Sequence, residues 1–219
     1  MREIWDFLRS HAAGAAWNMA LDEALLQTAV KRERPLLRVY AWEKPSVSFG
    51  YFQKFPAPLA NAYDVVRRPT GGGVVYHVQD TTYTVAVPPA HALYAMKTAD
   101  AYCALHQAVA AAFQSPLALH HAPLQSPHGS YECFQRPVHG DVVADGRKLA
   151  GGAQRRTKSG LLHQGSIAAK LSADQIKHGF QEALGIEFET YELTDAERAQ
   201  AERLVREKYA TDAWNRHLR

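Results

Sequence analysis

The sequence predicts a single α+β domain over residues 1–219, with a mixed or antiparallel β-sheet flanked by helices. Three observations predict this class: an amphipathic helical segment near the N-terminus, a series of short β-type runs, and two helical segments that close the chain. The length of 219 residues is enough to bury one sizeable core. No internal repeat and no linker divides the sequence, so one domain is expected.

The first helix is expected over residues 15–31, and Pro35 marks its end. Its apolar positions recur at helical spacing, and they are Trp17, Leu21, Ala24, Leu25 and Thr28. Asp22 and Glu23 are expected on the opposite side of this helix. Five β-type runs follow, separated by short turn segments. These runs are LLRVYAW, SVSFGYFQ, DVVRR, GGVVYHV and TTYTVAV.

The middle of the chain contains a second helix and a long loop. The helix is expected from about Met96 to Phe113, and Cys103 lies within it as a small buried apolar residue. From Ser115 to Pro137 the sequence is rich in Pro, His, Ser and Gln, which is typical of a long loop, often a functional one. The second cysteine, Cys133, lies in this loop.

The last third of the chain begins with a hairpin, DVVADGRKLAGGAQ, in which residues 145–146 (Asp-Gly) form a tight turn. LLHQGSIAAKL is expected to be another strand. Two helices follow, from about Ala173 to Leu184 and from Asp195 to about His217. Ser172, with Gln175 three residues later, has the pattern of a capping box.

Composition excludes several classes of protein. The formal net charge is only +3 and no block of basic residues occurs, so we expect no nucleic-acid partner. The N-terminus lacks the apolar core of a signal peptide, and no stretch approaches the roughly 20 apolar residues of a spanning helix, which predicts a cytoplasmic protein without membrane association. Two cysteines do not make a disulfide framework, and without CxxC or HExxH motifs no metal site is predicted.

The stretch RRPTGGGVVYH, residues 67–77, combines two arginines, three glycines and a histidine within β-type sequence. Consecutive glycines cost roughly 0.5 to 1 kcal/mol each relative to Ala in regular structure, so they indicate a positional need. One interpretation is a backbone surface against which a ligand lies, with Arg67 or Arg68 pairing with phosphate or carboxylate. The alternative is a glycine-bulged hairpin with surface arginines.

Two further segments have a similar character. GRKLAGGAQRR, residues 146–156, places Lys148 just before small residues, where it could orient an acyl carbonyl or be a solvated hairpin residue. LLHQGSI, residues 161–167, places a polar pair between apolar strand residues. His163 there is a half-buried structural residue or a site residue.

Taken together, the three segments resemble the signature blocks of the superfamily of lipoate-protein ligase A, lipoyl(octanoyl)transferases and biotin-protein ligases. WNMALDEALL resembles the first helix of that superfamily, SVSFGYFQ its following strand, and TDAERAQAERLVREKYATDAWN its last helix. The resemblance covers nearly the whole chain. It implies the fold of the biotin and lipoate ligase catalytic domain, which is similar to class II aminoacyl-tRNA synthetases.

The resemblance also implies a tunnel for a medium-length acyl chain. Lys148 would contact the acyl carbonyl as a catalytic residue, and the glycine-rich blocks would form the tunnel wall. The residues expected to bind substrate are Arg68, Thr70, Gly71, Gly72, Gly73, His77, Gly151, Gly152, Ala153, Gln154, His163 and Gly165.

Cys133 distinguishes two chemistries within the superfamily. It lies in Glu132-Cys133-Phe134, fifteen positions before Lys148, which resembles the cysteine-dependent octanoyltransferases. A thiolate is suited to thioester chemistry and needs no ATP, and the Lys148 ammonium could lower the pKa of the thiol. We therefore expect Cys133 to be the nucleophile that carries octanoyl from acyl carrier protein to a lysine of a lipoyl domain of 2-oxoacid dehydrogenases or of the glycine-cleavage H protein, without a cofactor.

Three alternatives remain open at the level of sequence: an ATP- and Mg-dependent lipoate-protein ligase, an amidotransferase between lipoyl domains, and a non-catalytic acyl-binding protein. Many ligases carry an additional C-terminal domain, and we expect none here, which favours a transferase. One departure favours a ligase. The octanoyltransferases tend to have Gln-His-Gly-Ser where this chain has His163-Gln164-Gly165-Ser166, which would move the imidazole to the opposite face of a strand.

Overall fold

The computed structural model describes residues 2–113, 115, 117–121 and 137–217. Within these ranges the chain is α+β, as predicted. The strands are β1 (Ile4–Arg9), β2 (Leu36–Tyr40), β3 (Ser46–Phe49), β4 (Asp64–Arg67), β5 (Val74–His77), β6 (Thr81–Val87), β7 (Ala118–Leu119), β8 (Val142–Ala144), β9 (Arg147–Thr157), β10 (Gly160–Ile167) and β11 (Glu187–Thr190). The α-helices are α1 (Ala15–Arg32), α2 (Ala92–Ala95), α3 (Thr98–Ala111), α4 (Ala173–Leu184), α5 (Asp195–Leu204) and α6 (Asp212–Asn215).

The described strands form one large and one small sheet. The large sheet has eight strands in the order β11-β1-β2-β6-β10-β9-β8-β7. Its β1 pairs in parallel with β11 and β2, and the remaining pairs are antiparallel. The predicted mixed sheet is therefore confirmed.

The small sheet consists of β3, β4 and β5 in the order β4-β3-β5. The sequence predicts these runs in the same sheet as the others, and that prediction is wrong. Their partners are one another: β3 pairs with β4 in parallel and with β5 in antiparallel fashion. Val47 and Phe49 of β3 and Val74 of β5 form an apolar cluster of their own. Strand propensity predicts a strand but not its partner, so the division was not visible in the sequence.

Helices cover both faces of the large sheet. One core lies on the face covered by α3 and α4, and it includes Trp5, Tyr83 and Leu161. The second core lies on the other face, where α1 and α5 pack. Because side chains alternate along a strand, β10 sends His163 to the α3 side and Gln164 to the α1 side. The small sheet lies on the α1 side.

Most of the predicted elements are confirmed. Helix α1 begins at the expected residue, and α4 has both the expected bounds and a complete capping box at Ser172. The predicted turn at residues 145–146 is also present, with φ of +48° and +72°, the left-handed values of a tight hairpin turn. The expected last helix is interrupted: a π-helical segment, Val205–Tyr209, separates α5 from α6. There Lys208 and Tyr209 both bond to Glu23 of α1.

Asp22 corrects the expectation for α1. The helical pattern predicts Asp22 on the polar side of α1, but its side chain is fully buried against the large sheet. Its partner is Arg38 of β2, also fully buried, with 2.6 Å between Oδ1 and Nη1. A carboxylate is retained in the core when a cation and hydrogen-bond donors surround it, and the helical pattern alone does not reveal such a partner.

Candidate active site

A cleft lies between the α1-facing side of the large sheet and the small sheet. It encloses about 420 Å³ of empty space when its open mouth is counted. Its lining residues are Met19, Tyr40, Trp42, Ser48, Arg68, Val75, His77, Thr82, Gly151, Gly152, Ala153, Gln164, Gly165 and Ser166. Six of these, Arg68, His77, Gly151, Gly152, Ala153 and Gly165, are site residues expected from the sequence. The cleft is therefore the candidate active site.

The two arginines of RRPTGGG have different surroundings. Arg68 lines the cleft, and its guanidinium donates to Ser48 Oγ (2.8 Å) and to the carbonyls of Gly71 (3.0 Å) and Gly73 (2.8 Å). Arg67 is fully buried and its guanidinium donates to backbone carbonyls. The alternative of surface arginines is thus wrong for both residues. Arg67 therefore holds backbone segments together, whereas Arg68 lies at the cleft.

The glycine triplet forms a turn beside the cleft. Gly72 has φ of +89°, a left-handed value that favours glycine. Its carbonyl oxygen approaches Gly50 so closely that a Cβ at position 50 would overlap it. Gly71, Gly72 and Gly73 are not among the lining residues of the cleft, so contact between them and an acyl chain stays a prediction.

Thr70 connects this turn to the large sheet. Its hydroxyl donates to Gln164 Oε1 at 2.7 Å, and Gln164 Nε2 donates in turn to Asp22 Oδ2 at 2.7 Å. All three side chains are buried. The glycine turn, the cleft wall and helix α1 are therefore held in one hydrogen-bonded network, in which Gln164 supplies the cleft-facing surface.

His77 is a neutral ring on the cleft wall. Its Nδ1 lies 2.7 Å from Asp80 Oδ2 and its Nε2 lies 2.6 Å from Ser48 Oγ. Burial lowers the pKa of His77 and outweighs the opposing effect of Asp80. Ser48 Oγ accepts a hydrogen bond from Arg68, so the Ser48 hydroxyl can donate its own proton to Nε2 of His77. Trp42 stacks on the other side, with ring centroids 4.0 Å apart, so the imidazole is fixed in place.

Asp80 accepts several hydrogen bonds at this end of the cleft. Besides His77, its Oδ2 accepts from Thr82 (3.1 Å) and Ser166 (2.8 Å), two residues that line the cleft. Burial alone would raise the pKa of this carboxyl, but these hydrogen bonds hold it below its usual value. Ser48, His77 and Asp80 are linked in the order found in serine hydrolases, with the Ser48 oxygen held additionally by Arg68.

Lys148 lies against Gly151, which lines the cleft, but Lys148 is not itself among the lining residues, so contact between its ammonium and an acyl carbonyl stays a prediction. A Cβ at position 151 would overlap Cε and Nζ of Lys148, so only glycine leaves room for the ammonium there. Nζ lies 2.8 Å from Asp141 Oδ2, and both side chains are buried. Lys148 is therefore not the solvated hairpin residue that the sequence left as an alternative.

His163 lies on the face of the large sheet opposite the cleft. Its Nε2 lies 2.9 Å from Tyr83 Oη and its Nδ1 lies 3.3 Å from Gln154 Nε2. Complete burial keeps the pKa of His163 well below its ordinary value, so the ring is neutral. His163 and Gln154 thus do not line the cleft. The ring packs behind Gly152, where a Cβ would come within 2.8 Å of it.

Cys133, the expected nucleophile, lies outside the described residues. The other cysteine, Cys103 on α3, is half-buried, and burial together with Asp100 raises the pKa of its thiol. A raised pKa disfavours the thiolate, so Cys103 lacks the property that a nucleophile needs.

Several residues of this region were not predicted from the sequence, among them Ser48, Asp80, Asp141 and Gln164. Ser48 and Gln164 lie on strands. Alternation along a strand predicts which residues share a face, but it does not predict which face borders a cavity. Asp80 and Asp141 have no local signal, because their partners come from other elements. Among the described residues no group of three His, Cys, Asp or Glu side chains could hold a metal ion. In the same part of the chain, the helices are too short or too polar to cross a membrane.

Known structures share this fold. A putative lipoate protein ligase from T. acidophilum superposes over the full length of both chains with a TM-score of 0.80 and 23% identity. P. falciparum LipL1 in complex with lipoate has a TM-score of 0.70 and 12% identity, covering 99% of this chain and 74% of its own. These likenesses confirm the expected fold class.

Sequence relatives identify the family. Octanoyltransferase LipM of Anoxybacillus flavithermus and that of Bacillus subtilis are each 31% identical to this chain, over 98% of this chain and 98% of their own lengths. The enzyme of the same name from Geobacillus kaustophilus is 32% identical over the same shares. Residues 14–198 match the model of the lipoyl protein ligase A/B catalytic domain. The chain therefore belongs to the lipoyl protein ligase A/B catalytic domain family.

Proposed function

We propose that this chain is an octanoyltransferase of protein lipoylation that carries its acyl group on Cys133. Curated relatives about 30% identical over nearly the whole chain are octanoyltransferases, which confirms the predicted class of enzyme. The observation that carries the proposal is the Lys148 ammonium held at Gly151 on the wall of a cleft. A fixed cation at that place can bind an acyl carbonyl oxygen.

In the first half-reaction, the Cys133 thiolate attacks the carbonyl carbon of octanoyl-acyl carrier protein. A new C–S bond forms, negative charge develops on the carbonyl oxygen, and Lys148 donates a hydrogen bond to it. The C–S bond to the carrier then breaks and the carrier leaves as a thiol after taking up a proton. Because one thioester replaces another, no ATP is needed. One well-placed donor to such an oxyanion is typically worth about 10²- to 10³-fold in rate.

In the second half-reaction, the unprotonated ε-amino group of an acceptor lysine attacks the acyl-Cys133 thioester. An amide bond forms, the C–S bond breaks, the nitrogen loses a proton, and Cys133 is restored. Lys148 again faces the oxygen that carries the developing charge. The acceptor is a lipoyl domain of a 2-oxoacid dehydrogenase or the glycine-cleavage H protein, and the reaction requires no metal or nucleotide.

The cleft itself supports an acyl substrate. Met19, Trp42 and Val75 supply apolar surface, and Gly151 and Gly152 allow a chain to approach the backbone of β9. The imidazole of His77 is neutral and adds no charge to this surface. An acyl chain can lie against the apolar part of the lining, and the Arg68 guanidinium is the charged group there.

Intact-protein mass spectrometry tests the proposal directly. The enzyme is mixed with octanoyl-acyl carrier protein without ATP, and a lipoyl domain is then added. The expected result is a hydroxylamine-labile octanoyl adduct on Cys133 that disappears as the acceptor lysine is modified. Cys133→Ala should abolish the adduct, whereas the matched control Cys103→Ala should leave it unchanged. Full transfer by Cys133→Ala would contradict the mechanism.

Further arms of the same experiment separate the other activities. Modification of the acceptor only with ATP, Mg²⁺ and free octanoic or lipoic acid would identify a ligase. Transfer from an octanoylated H protein to a lipoyl domain, but not from acyl carrier protein, would identify an amidotransferase. Binding of octanoate without any product would identify an acyl-binding protein.

A further inference from the structure

A buried carboxylate determines where the Lys148 ammonium lies. Asp141 precedes β8 at the edge of the large sheet, and its Oδ2 lies 2.8 Å from Lys148 Nζ. The side chain of Lys148 is 2% exposed and that of Asp141 is fully buried. An ion pair removed from water in this way is strong only where its geometry is fixed by further hydrogen bonds.

Those further hydrogen bonds are present on Asp141. Oδ1 accepts from the Tyr102 hydroxyl at 2.6 Å, and Oδ2 accepts from the Val138 backbone N–H at 2.7 Å. Tyr102 Oη itself accepts the backbone N–H of Gly152 at 2.9 Å. Tyr102 therefore links the carboxylate to the strand segment that lines the cleft. Neither carboxylate oxygen can turn away without breaking one of these contacts.

Strand β9 is also irregular at this position. Val142 pairs with Ala150 while Val143 pairs with Lys148, so Leu149 is an extra residue between two consecutive pairs. Such a bulge changes the direction of the neighbouring side chains. Regular alternation would place Lys148 and Gly151 on opposite faces of β9, yet the ammonium occupies the space above Gly151. The bulge brings the lysine to the side of β9 on which a Cβ of Gly151 would lie, and Asp141 fixes the position of the ammonium.

We propose that Asp141 and Tyr102 are positioning residues that hold the Lys148 ammonium at the cleft wall, so that it donates a hydrogen bond to the acyl carbonyl oxygen during transfer. This inference rests on the proposed function and adds the residues on which it depends. The Asp141 carboxylate balances the charge of the Lys148 ammonium. Tyr102 stays a hydroxyl donor, because burial and the adjacent Asp141 raise its pKa well above the ordinary value.

Removal of the Asp141 carboxylate should displace the Lys148 ammonium. In Asp141→Asn, one of the two oxygens becomes an amide nitrogen, which donates hydrogen bonds and accepts none, and the side chain loses the negative charge that pairs with Lys148. The ammonium would then move from its place above Gly151. A misplacement of about 1 Å can cost on the order of 10²-fold in rate.

The test compares single-turnover acylation by octanoyl-acyl carrier protein in the wild type and four variants. Lys148→Ala and Asp141→Asn should each slow acylation about 100-fold with little change in the half-saturating donor concentration, and Tyr102→Phe about 10-fold. Glu197→Gln, which removes a carboxylate from a buried pair with Arg32 on the far side of α1, is the structural control. It should lower the unfolding midpoint and leave the acylation rate unchanged. An Asp141→Asn enzyme as fast as the wild type, beside a slow Lys148→Ala, would overturn the inference.

A second measurement separates this inference from the proposed function. Brief treatment with acetic anhydride followed by peptide mapping reports the reactivity of each lysine, and an ion-paired ammonium reacts slowly. Labelling of Lys148 relative to the exposed Lys158 should rise at least about 10-fold in Asp141→Asn but not in Glu197→Gln. Equal labelling in the wild type and Asp141→Asn would show that Asp141 does not hold the ammonium. A wild type that forms no acyl adduct would instead refute the transferase, and labelling alone would then decide whether Asp141 fixes Lys148.

Discussion

Asp22 of α1 and Arg38 of β2 form a fully buried ion pair directly behind the cleft, with 2.6 Å between Oδ1 and Nη1. The second carboxylate oxygen of Asp22 accepts from Tyr40, Thr84 and Gln164. Tyr40 and Gln164 line the cleft, so this carboxylate fixes two parts of its wall. The pair therefore connects the stability of the core to the shape of the site.

Removal of the Asp22 carboxylate should be strongly destabilising. Asp22→Ala leaves Arg38 charged and buried without its acid, a change that typically costs about 3–5 kcal/mol. Urea unfolding at pH 7 measures the loss. The control is Glu207→Ala, which breaks an exposed pair with Arg203 and should cost less than about 1 kcal/mol. A loss for Asp22→Ala no larger than that of the control would contradict this assignment.

Asp22 also illustrates what the sequence could predict of the fold. The helical spacing of Leu21 and Leu25 located α1 nearly to the residue, because that pattern depends only on near neighbours. The burial of Asp22 depends on Arg38, which is sixteen positions away on another element. Strand partners are non-local in the same way, which is why β3 was assigned to the wrong sheet. Local periodicity predicts helices and strands, but only the structure shows which distant residues pair.

Two glycines near the cleft should respond differently to alanine. A Cβ at Gly50 would overlap the Gly72 carbonyl, whereas a Cβ at Gly71 would meet nothing within 4 Å. Gly50→Ala should therefore displace the glycine turn, destabilise the protein by about 1–3 kcal/mol and lower activity. Gly71→Ala should keep the stability of the wild type, and its transfer rate tests the predicted contact with the acyl chain. Thermal unfolding and the acylation assay measure these outcomes. A Gly71→Ala enzyme with normal stability but at least tenfold lower activity would show that the acyl chain contacts this residue.

The stability of the protein should fall in mild acid because of buried neutral histidines. Burial lowers the pKa of His106 to about 4, and its Nε2 is buried without a hydrogen-bond partner among the described residues. His77 and His163 have lowered pKa values for the same reason. With a folded pKa below the unfolded value of about 6.5, such a group favours folding fully above pH 6.5 and progressively less as pH falls toward the folded pKa.

Urea unfolding between pH 7 and pH 4.5 measures this dependence. Each neutral histidine contributes a slope of up to about 1.4 kcal/mol per pH unit below pH 6.5. His106→Asn should be less stable at pH 7 and should show a slope smaller by about that amount. His178→Asn, at a position 73% exposed, should keep the wild-type slope. An unchanged slope in His106→Asn would mean that His106 binds protons equally in the folded and the unfolded protein, so that burial does not lower its pKa.

The candidate site was predicted to the extent that its motifs are local. RRPTGGGVVYH and GRKLAGGAQRR supplied Arg68, His77 and Gly151, which the fold brings together across two sheets. The same motifs could not separate Arg68 from Arg67, since adjacent strand residues point to opposite sides and the sequence does not state which side holds the cleft. His163 and Gln164 are likewise adjacent on β10, and the sequence does not show which of the two faces the cleft.

We therefore expect Arg67 to stabilise the fold and to hold the C-terminal segment in place, and not to bind substrate. Its guanidinium donates to the carbonyls of Tyr51, Gln53, Trp214 and Asn215, which joins the segment after β3 to helix α6. Lysine presents its donors at one point and cannot span these four acceptors, so Arg67→Lys leaves buried carbonyls unpaired at about 1–3 kcal/mol each. The variant should unfold at lower urea concentration, and limited trypsin digestion should cleave near residue 216 before the wild type is cut. Arg206→Lys, at an exposed position, is the control and should behave as the wild type. If Arg67→Lys kept its stability but lost octanoyl transfer, Arg67 would have to contact the substrate after all.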